Sequence, residues 1–267
     1  MTQTGGPADL VLTGGHVHTV DAAHPRAEAV AVRGERIAAV GSAAEIADLI
    51  GPSTRVVDLA GRLLLPGFQD VHVHPIFGGV DRLECDLRDA RGRDGVLETI
   101  RAYVAAHPDL EWIVGSGWYM ADFENGTPRR EDLDAIVADR PAIFPNRDGH
   151  STWVNSKALA LAGIDGDTPD PDDGRIERDP DGTPTGTLHE GAVHAVDLLV
   201  PVPTPERMAD GLRIAQDYLH SLGITAWQDA IVRPEDGAVY RSAVDAGWLT
   251  ARVELAMWGY ETGRVRE

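Results

Sequence analysis

Residues 65–75 read Leu65-Pro66-Gly67-Phe68-Gln69-Asp70-Val71-His72-Val73-His74-Pro75. Pro66-Gly67 punctuates the chain, and the apolar run after it predicts a short buried strand over Phe68–Val73. Side chains alternate along a strand, so His72 and His74 project to one face, and Asp70 lies two residues earlier on that face. Where such a strand ends at a cleft, two neutral imidazoles can converge on one divalent cation. Spacing alone does not separate that reading from two solvated histidines, because His16-Val17-His18 repeats it. His16 and His18 follow Gly14-Gly15 in a strand-and-turn region, and are read as solvated.

N-terminal to this stretch, residues 8–65 read as a small, mostly β module. Ala29–Val32 and Ile37–Val40 predict two short apolar strands around the polar turn Arg33-Gly34-Glu35-Arg36, a hairpin signal. Ser42 with Glu45 three residues on is a capping-box pattern for a short helix. C-terminal to it, helical periodicity is expected from Leu97 to Ala106 and from Arg130 to Ala138, with a short helix from Lys157 stopped by Gly163. Residues 165–187 are rich in Asp, Gly, Pro and Thr and predict an exposed loop or hairpin. The clearest amphipathic helix begins at Pro205 and ends before Gly223. Strand, helix and strand then follow, a βαβ rhythm that points to a parallel sheet or barrel.

The 267 residues carry 24 basic and 43 acidic side chains, for a formal charge of −19. Such a surface repels phosphate backbones, so nucleic acid is not an expected partner. The single cysteine, Cys85, excludes an internal disulfide framework, and Glu84 and Asp86 beside it would raise its pKa. No apolar stretch reaches the roughly 18 residues of a membrane span, and the N-terminus shows no secretory signal. A soluble cytoplasmic protein with no membrane partner is the expectation.

The stretch at 65–75 resembles the first-barrel-strand signature of the amidohydrolase superfamily, PGFIDxHxH, with Gln69 in place of the commoner Ile. "VLTGGHVHTVD", "AVRGERIAAVG" and "VVDLAGRLLLPGF" resemble the β-sandwich segment that precedes the barrel in these hydrolases. "RDGHSTWVNSKALALAGI", "GTPTGTLHEGA" and "LGITAWQDA" are similar to the amidohydrolase-3 branch, the YtcJ-like proteins related to N-substituted formamide deformylase. The resemblance implies an α/β fold with a TIM-type (β/α) barrel. Residues 8–65 would be the β-sandwich segment, 66–79 the first barrel strand, 80–200 a large insertion after it, and 201–267 the second and third barrel units. It implies that His72 and His74 ligate a divalent metal, with zinc suited to imidazole-rich sites and one or two ions in a complete barrel. The chemistry implied is metal-assisted hydrolysis of a small-molecule amide or formamide.

In the family the later barrel strands supply a lysine or glutamate, two histidines and the catalytic aspartate. By this alignment those strands lie beyond residue 267, so the barrel is expected to be incomplete and the chain inactive by itself. Three readings stay open: an N-terminal portion of an amidohydrolase, a non-catalytic remnant serving as a binding or assembly module, and one half of a two-chain enzyme. A homo-oligomer and a complementary C-terminal half are both open as partners. Further site candidates are Asp70, His150, Glu190 and Asp229, on the substrate side or supporting the metal ligands. His150 follows the Asp148-Gly149 turn, Glu190 follows the polar hairpin, and Asp229 ends the expected second barrel strand, where it could orient a metal-bound histidine. Asn155 and Ser156 are read as helix caps. Trp112, Trp118 and Tyr119 are read as core in preference to a pocket wall.

Overall fold

The computed structural model describes residues 6–257. The chain divides into two compact units between Gln69 and Asp70.

The first unit contains two sheets. In one, β1 (Leu10–Thr13) is flanked by β4 (Ala29–Arg33), antiparallel, and β6 (Arg55–Asp58), parallel, and β5 (Arg36–Gly41) closes the order β5-β4-β1-β6. Gly34 sits at φ +55° in the β4–β5 turn, a conformation that side chains rarely adopt. In the other, β2 (His16–His18) lies between β3 (Arg26–Ala27) and β7 (Leu63–Leu64). Helix α1 (Ala43–Ala47) begins with the expected capping box, Ser42 with Glu45. Val11, Ala29, Ala31, Ile46 and Leu49 form the core of this unit. His16 and His18 are exposed on β2 with Val17 buried between them.

Strand β8 (Phe68–Val73) runs across the division and leads into the second unit. From there the chain builds α2 (Pro75–Asp81), β9 (Cys85–Asp86), α3 (Gly92–Ala106), β10 (Ile113–Ser116), α4 (Arg130–Asp134), β11 (Ala142–Pro145), β12 (Ser151–Val154) and α5 (Ser156–Ala162). It continues through β13 (Gly174–Arg178), β14 (Pro184–Glu190), α6 (His194–Asp197), α7 (Pro205–Ser221), β15 (Ile224–Val232), α8 (Pro234–Asp245) and β16 (Arg252–Met257). The tail of the expected second and third barrel units, 258–267, lies outside the described residues.

β8, β15 and β16 share one sheet with β15 in the centre, although more than 140 residues separate β8 from β15. β15 and β16 are parallel, as the βαβ rhythm predicts. Val73, Trp227 and Val253 of this sheet pack with Ile76 and Val80 of α2, Met208, Leu212 and Leu219 of α7, and Val239, Tyr240 and Ala243 of α8. α2 and α7 cross at Gly79 and Gly211, so closely that a Cβ on Gly79 would stand 1.9 Å from the Gly211 carbonyl oxygen. Only glycine permits that approach, and it sets the height of α2 and of the residue at its start. Gln216 of α7 accepts from the Thr250 amide at 2.8 Å, fixing the entry to β16.

The intervening residues form a second sheet in the order β13-β14-β12-β11-β10-β9. β9, β10 and β11 run parallel and the other three antiparallel. One core packs Val96 and Ile100 of α3 with Trp118, Phe144 and Trp153, and another packs Leu159 of α5 with Ile143, Ile176 and Leu188. Asn155 is fully buried and caps α5 through the Ala158 amide at 2.9 Å, as expected. Glu84 accepts from Arg207 of α7 at 2.9 Å and from the Tyr103 hydroxyl of α3 at 3.2 Å. That bridge ties the two sheets' helices together.

Three expectations are corrected. β8 was expected to be buried, yet Phe68 and Val71 are 54% and 74% exposed. β8 is an edge strand of its sheet, and of its apolar side chains only Val73 packs with the helices. α3 begins at Gly92, five residues before Leu97, because the Asp122 carboxylate accepts the Gly92 amide at 3.0 Å and holds the first turn. Residues 165–187 form a hairpin, but its β14 strand is buried between β12 and β13.

Candidate metal centre

β8 ends where Pro75 opens α2. A proline cannot donate to a strand ladder and suits the first helical position, so it places the strand–helix junction at His74. His74 is the residue preceding α2, half-buried, and its carbonyl accepts from the Gly78 amide at 2.9 Å. His72 is exposed. The two rings stand edge to face with centroids 5.3 Å apart. Imidazoles sharing one tetrahedral ion at about 2.0–2.1 Å place their centroids about 5 Å apart, a separation close to that of this pair. Asp70 does not add a third ligand: its Oδ1 accepts from the His72 amide at 3.0 Å, a turn within the strand. Among the described residues no three His, Cys, Asp or Glu side chains are grouped closely enough to hold a metal.

Behind His74 lies a buried carboxylate. Asp229, on β15, is 2% exposed, and its Oδ1 is 3.7 Å from His74 Nδ1. Its Oδ2 accepts from the Tyr240 hydroxyl of α8 at 2.9 Å. Burial holds the Asp229 carboxyl above the usual aspartate range, against the opposing effects of Tyr240, the Ile231 amide and His74. Burial and the neighbouring Asp229 charge push the Tyr240 phenol up as well. His74 Nδ1 is buried with no hydrogen-bond partner, an orphaned polar atom beside an acceptor. A donor set of two imidazoles with a carboxylate behind one of them suits a borderline-soft divalent ion such as zinc.

The structure brings Asp70, His72, His74 and Asp229 to one end of the β8–β15 sheet. It brings His150 and Glu190 to each other, elsewhere. His150 Nδ1 is 3.0 Å from Glu190 Oε1, both side chains are exposed, and they close the β12–β14 end of the second sheet. Glu190 has φ +50°, a strained backbone for a residue with a side chain. None of the hydrogen bonds or ion pairs of that pair reaches His72 or His74 among the described residues. Trp118 is buried and donates to the Phe144 carbonyl at 2.6 Å, as core, whereas Tyr119 is 56% exposed. Cys85 is buried and its thiol is pushed up to about 12 by desolvation and by Asp86 and Glu84, which excludes it as a nucleophile.

Tyr240 was missed from the sequence. Its only signal was a polar hydroxyl on the inward, apolar side of α8, beside Val239 and Ala243.

The profile of the amidohydrolase family matches residues 55–266. The chain belongs to the amidohydrolase family. Within it, the chain falls in the amidohydrolase-3, YtcJ-like branch. It is 34% identical over 249 residues to N-substituted formamide deformylase of Arthrobacter pascens, covering 90% of this chain and 45% of that protein. It is 34% identical over 216 residues to YtcJ of Bacillus subtilis (strain 168), covering 79% of this chain and 40% of that one. Among solved structures it is similar to an uncharacterised metal-dependent hydrolase from Pyrococcus furiosus, with a TM-score of 0.66 and 23% identity over 93% of this chain and 50% of that one. The chain spans about half the length of the curated relatives it matches or less. No helix among the described residues is long and apolar enough to cross a membrane.

Proposed function

We propose that this chain carries the first metal-binding strand of a hydrolase acting on amide-type, non-peptide C–N bonds. The observation that carries the reading is the His72–His74 pair, centroids 5.3 Å apart, with the orphaned Nδ1 of His74 facing buried Asp229. In this reading β8, β15 and β16 are the first three strands of a TIM-type barrel, residues 80–200 are an insertion after the first of them, and residues 8–65 belong to a β-sandwich segment. A site at strand ends is where such barrels do their chemistry.

His72 and His74 would hold a divalent ion, zinc by donor type. When bound, that ion would polarise a substrate carbonyl and lower the pKa of water toward neutrality. Asp229 faces His74 Nδ1 and so leaves Nε2 as the ring nitrogen available for ligation. Asp70 shapes the strand end by accepting the His72 amide. The exposed His150–Glu190 pair offers a hydrogen-bonding group on the substrate side. Two imidazoles bind an ion weakly, and in this reading further ligands and the proton-transferring carboxylate lie outside the described residues. The substrate class is a small amide or formamide, by kinship with the Arthrobacter protein named as an N-substituted formamide deformylase.

The test measures amine release from small N-substituted formamides and amides by the protein at the full length of its relatives. It is run with zinc, after chelation, and with His72→Ala or His74→Ala. Activity that needs metal and falls at least about 100-fold in either variant is expected. Amine release indifferent to chelation and to both substitutions would overturn the reading.

A further inference from the structure

Three side chains, Tyr240, Asp229 and His74, connect α8 to the end of β8. The Tyr240 hydroxyl, 3% exposed as a residue, donates to Asp229 Oδ2 at 2.9 Å. The other oxygen, Asp229 Oδ1, makes only a long 3.4 Å contact from the Ile231 amide and lies 3.7 Å from His74 Nδ1. That ring nitrogen is buried and unpaired. The Phe77 ring, centroids 6.2 Å apart, and the His72 ring also stand against the His74 ring, and neither offers its Nδ1 a carboxylate or carbonyl acceptor.

We infer that Tyr240 is a positioning residue: it pins the Asp229 carboxylate so that Oδ1 accepts a proton-bearing Nδ1 of His74, which sets the tautomer that leaves Nε2 bare. A carboxylate in an apolar wall can rotate about its last bond, and a donor on one oxygen stops that rotation and aims the other oxygen. The donor sits on a helix packed against the sheet by Val239 and Ala243, so its position is set by the core and not by a loop. A neutral histidine must choose one nitrogen for its proton, and the hydrogen bond at one nitrogen fixes the role of the other. Removing the pin changes which nitrogen of His74 is free without removing His74 or Asp229. The inference rests on the reading of His74 as a metal ligand, but its readout does not require metal.

The experiment uses long-range proton–nitrogen correlation spectra of the metal-free, ¹⁵N-labelled chain, with the His74 ring assigned by its loss in His74→Gln. The wild-type chain is expected to show Nδ1 protonated and Nε2 bare. Tyr240→Phe, which removes only the hydroxyl, is expected to move His74 toward the Nε2-protonated form that free histidine favours, with His72 unchanged. Asp229→Asn turns an amide donor toward Nδ1 and is expected to make the Nε2-protonated form dominant, which keeps the test available if Tyr240→Phe does not fold. Zinc affinity, measured by competition with a chromogenic chelator, is expected to fall about 10- to 100-fold in both variants. A wild-type His74 protonated on Nε2, or a tautomer unmoved by a folded Tyr240→Phe, would overturn the inference. Zinc binding that depends on His74 alongside an unmoved tautomer leaves the metal reading standing and this inference refuted. A shifted tautomer with no zinc binding does the reverse.

Discussion

The crossing of α2 and α7 gives a sharp test of how the fold holds His74 in place. An alanine at Gly79 would put its Cβ 1.9 Å from the Gly211 carbonyl oxygen, 2.4 Å from its carbonyl carbon and 2.8 Å from its Cα. Ordinary contact begins near 3.5 Å, so the helices must separate by about 1.5 Å, and the obstacle is backbone and cannot rotate away. Overpacking of this kind costs about 1–3 kcal/mol, here toward the upper end. Alanine recovers about 0.5–1 kcal/mol of the conformational cost of a helical glycine. The net loss is about 1–2 kcal/mol, or a fall in Tm of about 2–8 °C at about 2–4 °C per kcal/mol. The control is on the same helix: a Cβ on Gly78 meets nothing within 4 Å. Gly78→Ala therefore gains the propensity term alone and raises Tm by about 1–4 °C. Calorimetric melting of both variants decides it. A Gly79→Ala chain as stable as Gly78→Ala would refute the account of the crossing.

Three further outcomes follow from buried polar groups. Asn155→Ala removes a side chain that accepts from the Ala142 and Ala158 amides and donates to the Val137 and Arg140 carbonyls. It should cost about 3 kcal/mol or more in denaturant unfolding, because four backbone groups lose their partner. The Cys85 thiol, pushed up to about 12, should react with a disulfide reagent at pH 8 only as the chain unfolds, and with one equivalent in guanidinium. Prompt labelling of the native chain would contradict its burial. Burial also raises the Asp81 carboxyl above 3.8, so folding favours its protonated form: the benefit is full at low pH and is lost as pH rises through the folded pKa. Asp81→Asn should therefore raise Tm at pH 7, with a gain that shrinks as pH falls toward 3.8. A gain constant across that range would count against the assignment.

Local signals were legible in the sequence because their physics is local. The Ser42–Glu45 capping box, the Asn155 cap, the left-handed stop at Gly163 and the βαβ unit from Ile224 to Met257 each depend on neighbours a few residues apart. The placing of His72 and His74 on one face was readable for the same reason. What escaped was set by partners far along the chain. The exposure of β8 depends on which of its side chains the distant helices cover, Val73 alone among its apolar residues, and no residue within the strand announces that. The early start of α3 depends on Asp122, thirty residues away, and overrides two glycines that weaken the helical pattern. The union of His150 with Glu190 is made by pairing of β12 with β14 across a turn-rich segment. Tyr240 mattered only once α8 was packed on β15, where its hydroxyl meets Asp229.

The central claim is that the end of β8 is a metal site. Its most direct measurement is zinc-edge anomalous diffraction from crystals of the protein at the full length of its relatives, grown with zinc. The account predicts one anomalous peak about 2.0–2.1 Å from a ring nitrogen of both His72 and His74, lost in His74→Ala. Zinc bound away from both imidazoles, or a peak that survives the substitution, would contradict it.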